Sequence, residues 1–226
     1  MAAPTAANAA NGAAENTAGN TVNGAVPAAG RATGRSLAKA SRRSALLSAA
    51  ARLFAERGFN GVSIEDLGAA AGVSGPAVYR HFSSKQAMLA ALLTGVSQDL
   101  LDGGRAVVGN SSGPEAALRG LIEFHVDFAL SNPDVIRVHD RDLDSLSAEE
   151  SEHVRSLQRS YVRVWVDVLA QLLPRDDPAR LRMRAHAAFG LINSTPHSAR
   201  RGQGVRDKAW RRNLLETMAW AALKAE

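Results

Sequence analysis

Residues 58–93 read GFNGVSIEDLGAAAGVSGPAVYRHFSSKQAMLAALL, and they carry closely spaced signals for helix starts and stops. Ser63, followed three residues later by Asp66, has the pattern of a capping box, and Gly72 is placed to end that helix. Ser74 can cap a second, short helix directly after the turn. Two helices joined by a few residues around a glycine are typical of a helix-turn-helix, and we predict one here.

Helical spacing of apolar residues recurs on both sides of this stretch, whereas strand signals are almost absent from the body of the chain. Before it, Leu46, Ala50 and Leu53 lie on one face of a helix that Gly58 ends. The pattern as a whole predicts an all-α fold of about nine helices. Helix starts beyond the stretch are expected at Pro114, Pro133 and Ser147, and the last two helices over 178–197 and 206–224.

The composition excludes several classes of protein. The 226 residues include no cysteine, which excludes disulfide scaffolds, cysteine-ligated zinc or iron–sulfur sites and thiol nucleophiles. No apolar run of about 18 residues is present, so no membrane-spanning helix is predicted. The N-terminus lacks the basic region and apolar stretch of a secretory signal. We therefore expect a soluble, cytoplasmic protein with no membrane partner.

The net charge of +5 is concentrated in one block of the sequence. Residues 35–97 hold eight basic and three acidic side chains, whereas residues 98–226 hold eighteen of each. A basic block on a neutral body suggests a module that binds a polyanion, although a solvated basic face has the same composition. Residues 1–34 are rich in Ala, Asn, Gly and Thr and are expected to form a disordered tail. The predicted organisation is a tail over 1–34, a helix-turn-helix domain over 35–97 and a second helical domain over 98–226.

The sequence of residues 41–93 resembles the DNA-binding domain of the tetracycline-repressor (TetR) family of bacterial transcriptional regulators. The likeness rests on AGVS at 71–74, the turn that follows it, and VYRHFSSK at 78–85. It implies a homodimer that binds double-stranded DNA at a palindromic operator and a C-terminal domain that binds a small-molecule effector. The length and helical pattern of 98–226 agree with such a domain.

The expected DNA surface is built around the helix that begins at Ser74. Its first turn is small enough for close approach to the floor of the major groove, and Pro76 and Ala77 can pack on thymine methyl groups. By resemblance, the polar groups one turn later bind phosphates, and Lys85 does so at the start of the next helix. The predicted DNA-binding residues are Ser63, Ser74, Gly75, Pro76, Ala77, Tyr79, Arg80, His81 and Lys85.

Four of the predicted DNA contacts also have an ordinary structural role open to them. Tyr79 is suited to packing in a half-buried position, His81 to capping its short helix and Lys85 to a solvated surface. Ser63 is an N-cap in either case. The basic residues at the start of the first helix suit either a minor-groove arm or a solvated end. They are Arg35, Lys39, Arg42 and Arg43.

The C-terminal half offers pocket residues by type only. Apolar walls with a few polar groups suit a ligand pocket, and an ordinary helical core uses the same apolar residues. His125 and Asn193 are the more informative members, because a buried polar side chain requires a partner. We predict a largely apolar effector in a cavity lined by Phe124, His125, Phe128, Tyr161, Trp165, Phe189 and Asn193.

The last two long helices carry apolar stripes suited to a four-helix dimer interface across a two-fold axis. The same stripes also suit the core of their own domain. The predicted interface residues are Ala185, Ala188, Phe189, Trp210, Leu214 and Met218.

No metal, cofactor or catalytic residue is predicted. The segment 139–144 places three aspartates at alternate positions, as a calcium loop does. However, Ser145 stands where such a loop needs glycine and Ser151 where it needs glutamate. A phosphate-binding loop and a dinucleotide fingerprint are also missing from the sequence.

These patterns and the family resemblance together predict a sequence-specific DNA-binding regulator, and the resemblance implies a repressor that its effector releases. A first alternative is a ligand-independent DNA-binding protein whose second domain only dimerises. Another is an all-α enzyme or interaction module with an incidental basic face. A salt-dependent DNA shift separates the last from the other two.

Overall fold

The computed structural model describes residues 34–198 and 205–225, and every element of secondary structure in these ranges is helical. The helices are α1 (Gly34–Arg57), α2 (Ile64–Ala70), α3 (Gly75–Val78), α4 (Lys85–Gly109), α5 (Pro114–Ser131), α6 (Pro133–Asp142), α7 (Ala148–Leu172), α8 (Pro178–Asn193), α9 (Thr195–Ser198) and α10 (Val205–Lys224), with a 3-10 turn at Leu143–Ser145. The all-α prediction is confirmed, and α9 is a single additional turn. The predicted extent of 178–197 for one helix is wrong because Pro196 lacks the N–H that would continue α8.

Caps predicted from the sequence set the start of two helices. Ser63 and Asp66 form a capping box at α2, in which Ser63 Oγ accepts from the Asp66 N–H at 3.0 Å. Ser147 and Glu150 form the same arrangement at α7. Each box satisfies N–H groups that the first turn of a helix leaves unpaired.

Two hydrophobic cores lie along the molecule. The N-terminal core is formed mainly by α1–α4, yet it also contains Val138 of α6 and Val154 of α7. The second core includes Leu101 of α4 and Ile136 of α6, together with α5, α7, α8 and α10. Because α4 is continuous, the predicted domain boundary at residue 97 falls inside a helix. Helices α4, α6 and α7 therefore belong to both cores.

The first helix begins at Gly34, so the predicted tail lies, apart from that residue, outside the described residues. Arg35, Lys39, Arg42 and Arg43 all lie within α1. Their contact with the minor groove stays a prediction. The guanidinium of Arg43 lies 4.8 Å from the ring centroid of Phe82. None of the helices in the described ranges is long and apolar enough to cross a membrane.

Candidate nucleic-acid interface and ligand cavity

The turn between α2 and α3 depends on two glycines. Gly72 has a φ of +69°, a left-handed conformation that glycine adopts without steric cost. At Gly68, an added Cβ would lie 2.8 Å from the carbonyl oxygen of Val73. A side chain at either position would strain the turn, so the glycines allow α2 and α3 to pack closely. The predicted helix-turn-helix is confirmed.

The N-terminal turn of α3 presents small side chains to the surface. Ser74 is the N-cap residue, but its hydroxyl makes no hydrogen bond to the helix and is exposed. Pro76 is exposed, and Gly75 and Ala77 are half-buried. On the opposite side, Val78 is buried in the N-terminal core and anchors the turn. The outer side can therefore approach a DNA groove closely.

Three polar residues follow α3 in a turn, since the helix ends at Val78. Tyr79 is 56% exposed, so its alternative role as a packing residue is wrong. Arg80 is exposed, and its guanidinium has no partner among the residues that the structure describes. His81 is half-buried, and its Nδ1 has no hydrogen-bond partner in the same ranges. Tyr79 and Arg80 thus extend from the same surface as α3.

Lys85, in the first turn of α4, is bonded to the protein itself. Its Nζ donates to the carbonyl oxygens of Phe59 and Val62 at 2.8 and 2.9 Å and lies 4.4 Å from the centroid of the Phe59 ring. The alternative of a solvated lysine is therefore wrong. Because an ammonium group has three N–H donors, one remains for a phosphate. Lys85 stabilises the α1–α2 loop, and its DNA contact stays a prediction.

Ser63 is fully used by its capping box. Its Oγ donates to the Asp66 carboxylate at 2.8 Å, and its N–H donates to the same oxygen at 3.0 Å. These two hydrogen bonds lower the pKa of Asp66 below its ordinary value, and the one from the Ser63 N–H has the larger effect. The resulting carboxylate repels phosphate, which favours the N-cap role of Ser63 over its predicted DNA contact.

A cavity of about 240 Å³ lies between α4, α5, α6, α7 and α8. Five predicted effector residues line it, namely His125, Phe128, Tyr161, Phe189 and Asn193. Phe124 and Trp165 do not, and for these two the prediction is wrong. The ring of Phe124 packs against Gly103 of α4. Trp165 is completely buried behind Phe189, with the two ring centroids 4.9 Å apart.

Three of the lining residues form a hydrogen-bonded row. His125 of α5 is 3% exposed, its Nε2–H donates to Asn193 Oδ1 of α8 at 3.1 Å, and its Nδ1 accepts from the Tyr161 hydroxyl of α7 at 3.4 Å. Burial lowers the pKa of His125 to about 4 and raises the pKa of Tyr161, so both side chains are uncharged at neutral pH. His125 and Asn193 thus satisfy each other, as buried polar groups must.

The sequence prediction missed the walls that α4 and α6 contribute. Ser97 could have been predicted, because it is a polar residue within the apolar stripe of α4. In the structure it is only 5% exposed and faces the cavity. The sequence of α6 does not indicate which of its residues line the cavity. Its apolar residues belong to both cores, and only the packing shows which of them face the ligand site. The missed residues are Leu93, Val96, Ser97 and Leu100 of α4, Val135, Ile136, His139 and Asp140 of α6, and Gln158, Val162 and His186 of α7 and α8.

The C-terminal end of α6 is attached to the end of α1. Arg141 Nη2 donates to the carbonyl oxygen of Phe54, and Arg141 Nε donates to Asp142 Oδ1 at 3.1 Å. Asp142 is 5% exposed and also accepts from the Phe59 N–H at 3.4 Å. This charge pair thus satisfies backbone groups on both sides of the turn after α1. We refer to Arg141 and Asp142 as the α1–α6 clamp.

The carboxylates of segment 139–144 bind separate partners. Asp142 belongs to the clamp, and Asp144 lies 3.3 Å from Arg155. Asp140 lies 3.3 Å from His139 Nδ1. Across residues 34–198 and 205–225, no three His, Cys, Asp or Glu side chains are placed to hold a metal ion. The geometry of this segment is that of ion pairing.

Helix α10 exposes the apolar stripe expected of it. Trp210, Leu214 and Met218 are 54%, 47% and 45% exposed. Large apolar side chains on one helix face, exposed together, are typical of an interaction surface. The predicted dimer contact of α10 is thus available to a partner.

Two of the interface residues predicted on α8 are wrong, and the contact of this helix with a partner stays a prediction. Ala185 and Ala188 are completely buried in their own core, and Phe189 lines the cavity. Neither alanine can reach a partner. The exposed face of α8 instead contains Met183, which is 69% exposed, together with Ala187 and Gly190.

A helix-turn-helix surface and a separate ligand cavity in one helical chain define a DNA-binding regulator with a ligand-binding domain. Residues 46–92 match the bacterial regulatory proteins of the tetR family, and residues 111–197 match the tetracyclin repressor-like C-terminal domain. The chain belongs to the tetR family. It is a sequence-specific DNA-binding regulator of transcription.

Several named proteins are similar to this chain over both domains. The HTH-type transcriptional repressor KstR2 of Rhodococcus jostii (strain RHA1) is 28% identical over 70% of this chain and 77% of the relative. The HTH-type transcriptional regulator BetI of Agrobacterium fabrum (strain C58) is 31% identical over 67% of this chain and 73% of the relative. The crystal structure of a TetR-family regulator from Bordetella parapertussis 12822 superposes with a TM-score of 0.71 at 26% identity, over 80% of this chain and 94% of that chain.

Proposed function

We propose that the protein is a cytoplasmic repressor without catalytic activity, which binds its operator as a homodimer and is released by a small molecule in the cavity. The repressor KstR2 among the relatives supports the direction of regulation. The observation that carries the proposal is that α4 and α6 line the cavity and also belong to the core beneath α3. A ligand that changes the spacing of these helices therefore acts on the DNA-binding surface.

The DNA contact in this proposal is made by α3 and the turn after it. The exposed Tyr79 hydroxyl and Arg80 guanidinium bind phosphates, and Lys85 adds its remaining N–H. Pro76 and Ala77 make no bidentate contact with a base. Sequence preference therefore comes from their apolar contact with thymine methyl groups and from the shape of the DNA.

The dimer in this proposal pairs α8 and α10 of one protomer with the same helices of its partner. On α8, Ala187 and Gly190 allow close approach of the backbones around Met183. On α10, the exposed stripe supplies apolar area. A two-fold axis through this four-helix contact places two copies of α3 to read a palindrome, with centres about 34–36 Å apart.

Release in this proposal passes through the α1–α6 clamp. His139 and Asp140 line the cavity directly before Arg141 and Asp142 in the chain. A shift of α6 therefore moves the groups that hold the end of α1. The ligand must bind one arrangement more tightly than the other, and a hundredfold release of DNA requires a difference of about 2.7 kcal/mol.

Selection of DNA from a random pool by the purified full-length protein tests the proposal. We expect enrichment of a palindrome whose half-sites are about 10–10.5 base pairs apart or a multiple of that distance. The logarithm of its affinity is expected to fall linearly with the logarithm of the salt concentration. Enrichment of no sequence, or of a single half-site bound by a monomer, would contradict the proposal.

A further inference from the structure

The wall of the cavity offers nothing to neutralise a buried anion. Among the described residues that line it there is no lysine or arginine, and its carboxylate, Asp140, is exposed. His139 Nδ1 lies 3.3 Å from the Asp140 carboxylate and its Nε2 lies against the Gln158 amide, so both ring nitrogens already have partners in the wall. His125 is uncharged, and His186 is exposed at the rim. Because an unpaired charge is costly to bury, the enclosed part of a ligand is neutral.

The hydrogen-bonded row leaves one donor at the cavity wall. Asn193 Oδ1 accepts from His125 Nε2–H at 3.1 Å, which fixes the orientation of the amide. The Asn193 Nδ2 hydrogens then have no partner among the described residues. The hydroxyl proton of Tyr161 is already directed at His125 Nδ1. Asn193 is half-buried and lines the cavity, so these N–H groups can be reached from inside it, and a ligand carbonyl oxygen can accept from them.

Most of the remaining wall is apolar, with the Ser97 hydroxyl as a further buried polar group. Leu100, Phe128, Ile136 and Phe189 surround the cavity between the row and the rim. Its volume of about 240 Å³ lies just below the range of about 300–1,000 Å³ that is typical of small-molecule pockets, so the cavity suits a small ligand.

We propose that the cavity takes a small, uncharged and largely apolar molecule whose carbonyl oxygen accepts a hydrogen bond from the Asn193 amide. This inference rests on the proposed effector site and names the chemical class that the site selects. Asn193 is its specificity-determining residue. Tyr161 and His125 are positioning residues, because they act on the ligand through the orientation of that amide.

Calorimetric titration of the full-length protein with 2-octanone, octanoate and octylamine at neutral pH tests the chemical class. The three probes share one chain length and differ in charge. We expect 2-octanone to bind about tenfold more tightly than either charged probe, since only the ketone pairs the Asn193 donor without burying an ion.

The Asn193→Asp variant is designed to reverse this preference. It keeps an acceptor for His125 but replaces the amide donor with a carboxylate. We expect it to lose about tenfold in 2-octanone affinity and to gain octylamine binding. Asn213→Asp, on the exposed surface of α10, makes the same charge change outside the cavity and serves as the matched control. Asn193→Leu provides a second variant, expected to lose the ketone without gaining the amine.

The outcomes separate this inference from the proposed function. Equal binding of 2-octanone and octanoate to the wild type, or unchanged ketone affinity in both Asn193 variants, overturns the ligand class while the cavity keeps its proposed role. Binding of none of the probes overturns the ligand class, and the selection of operator DNA then decides the proposed function by itself. The expected binding pattern without any change in affinity for the selected operator supports the ligand class and contradicts ligand release.

Discussion

The ionisation of His125 links one buried side chain to the stability of the fold. Burial lowers its pKa to about 4 from the ordinary value of 6.5. Between these two values the unfolded chain binds more protons than the folded chain, so the free energy of unfolding falls as the pH falls. The contribution is fully present above pH 6.5, the ordinary value, and amounts to roughly 3 kcal/mol as an upper bound.

Urea unfolding at about pH 7.5 and about pH 5 measures this contribution. His125→Gln removes the titrating group, and we expect a smaller loss of stability on acidification than in the wild type. His153→Gln, on an exposed position of α7, removes an imidazole that lies outside the cavity. The same loss on acidification in the wild type and in His125→Gln would show that another group is responsible.

Substitutions of Arg80 and Lys85 are both expected to weaken operator binding, but only the Lys85 substitution is expected to lower the stability of the DNA-free protein. Arg80→Gln removes an exposed phosphate contact. The slope of the logarithm of operator affinity against the logarithm of salt concentration should therefore become shallower by about one per contact, or about two for a dimer. Its stability should stay within about 0.5 kcal/mol of the wild type. Lys85→Met leaves the carbonyls of Phe59 and Val62 without their donor, and should lower stability by about 1–3 kcal/mol as well. If Lys85→Met had the same midpoint of thermal unfolding as the wild type, the role of Lys85 in stabilising the α1–α2 loop would be contradicted.

The need of a residue for a partner can be predicted from the sequence, but its partner cannot. His125 and Asn193 interrupt apolar stripes, which was enough to predict that each needs a hydrogen bond. Lys85 donates to carbonyls 26 and 23 residues before it, and these groups meet only after α1, α2 and α4 have packed together. Tyr161 was predicted as a wall residue, and its hydrogen bond to His125 spans 36 positions in the chain.

The α1–α6 clamp is expected to stabilise the contact between two helices far more than an ordinary surface ion pair does. Arg141→Gln leaves Asp142 buried without its charge partner, and the expected loss of stability is about 1–3 kcal/mol. Hydrogen exchange of the Phe59 amide should also become faster, because its acceptor is no longer held in place. Urea unfolding and amide exchange measure the two effects.

Arg155→Gln is the matched control for the clamp. Arg155 also pairs with an aspartate, but Asp144 is 92% exposed, so this pair contributes little. We expect a loss below about 0.5 kcal/mol in this variant. Equal losses in Arg141→Gln and Arg155→Gln would mean that the clamp has no special role in joining α6 to α1.

The residues at which the helices begin were easier to predict than the face that each helix buries. Capping boxes and prolines act locally, so the starts of α2, α5, α6 and α7 could be read from a few residues each. Helix α8 has small or apolar residues on both sides, with Ala185 and Ala188 buried and Met183 and Ala187 exposed. Such a helix has no face that is marked by its sequence, and only the packing of its neighbours decides which side is inward.

The arrangement of two cores along α4 and α6 explains why the cavity could be predicted only in part. The aromatic and polar residues of α5, α7 and α8 could be recognised by type. Helix α4 was predicted only as the helix that begins near Lys85, and its contribution to the cavity follows only from the three-dimensional packing of both cores. Coupling between the DNA surface and the cavity is thus a property of the whole molecule.

Dimerisation through α8 and α10 is expected to be required for operator binding, because one helix-turn-helix offers too little surface for specific recognition. Leu214→Glu combined with Met218→Glu introduces two charges into the exposed stripe of α10, and we expect a monomer with weak operator affinity. Ser156→Glu, on an exposed position of α7, adds a charge outside the proposed interface and should leave the dimer intact. Sedimentation gives the mass of each variant, and a binding titration gives its affinity. A dimeric mass for the double variant would show that the partner docks on another face. A monomer with full operator affinity would show that recognition of the palindrome does not depend on the pairing of two α3 helices.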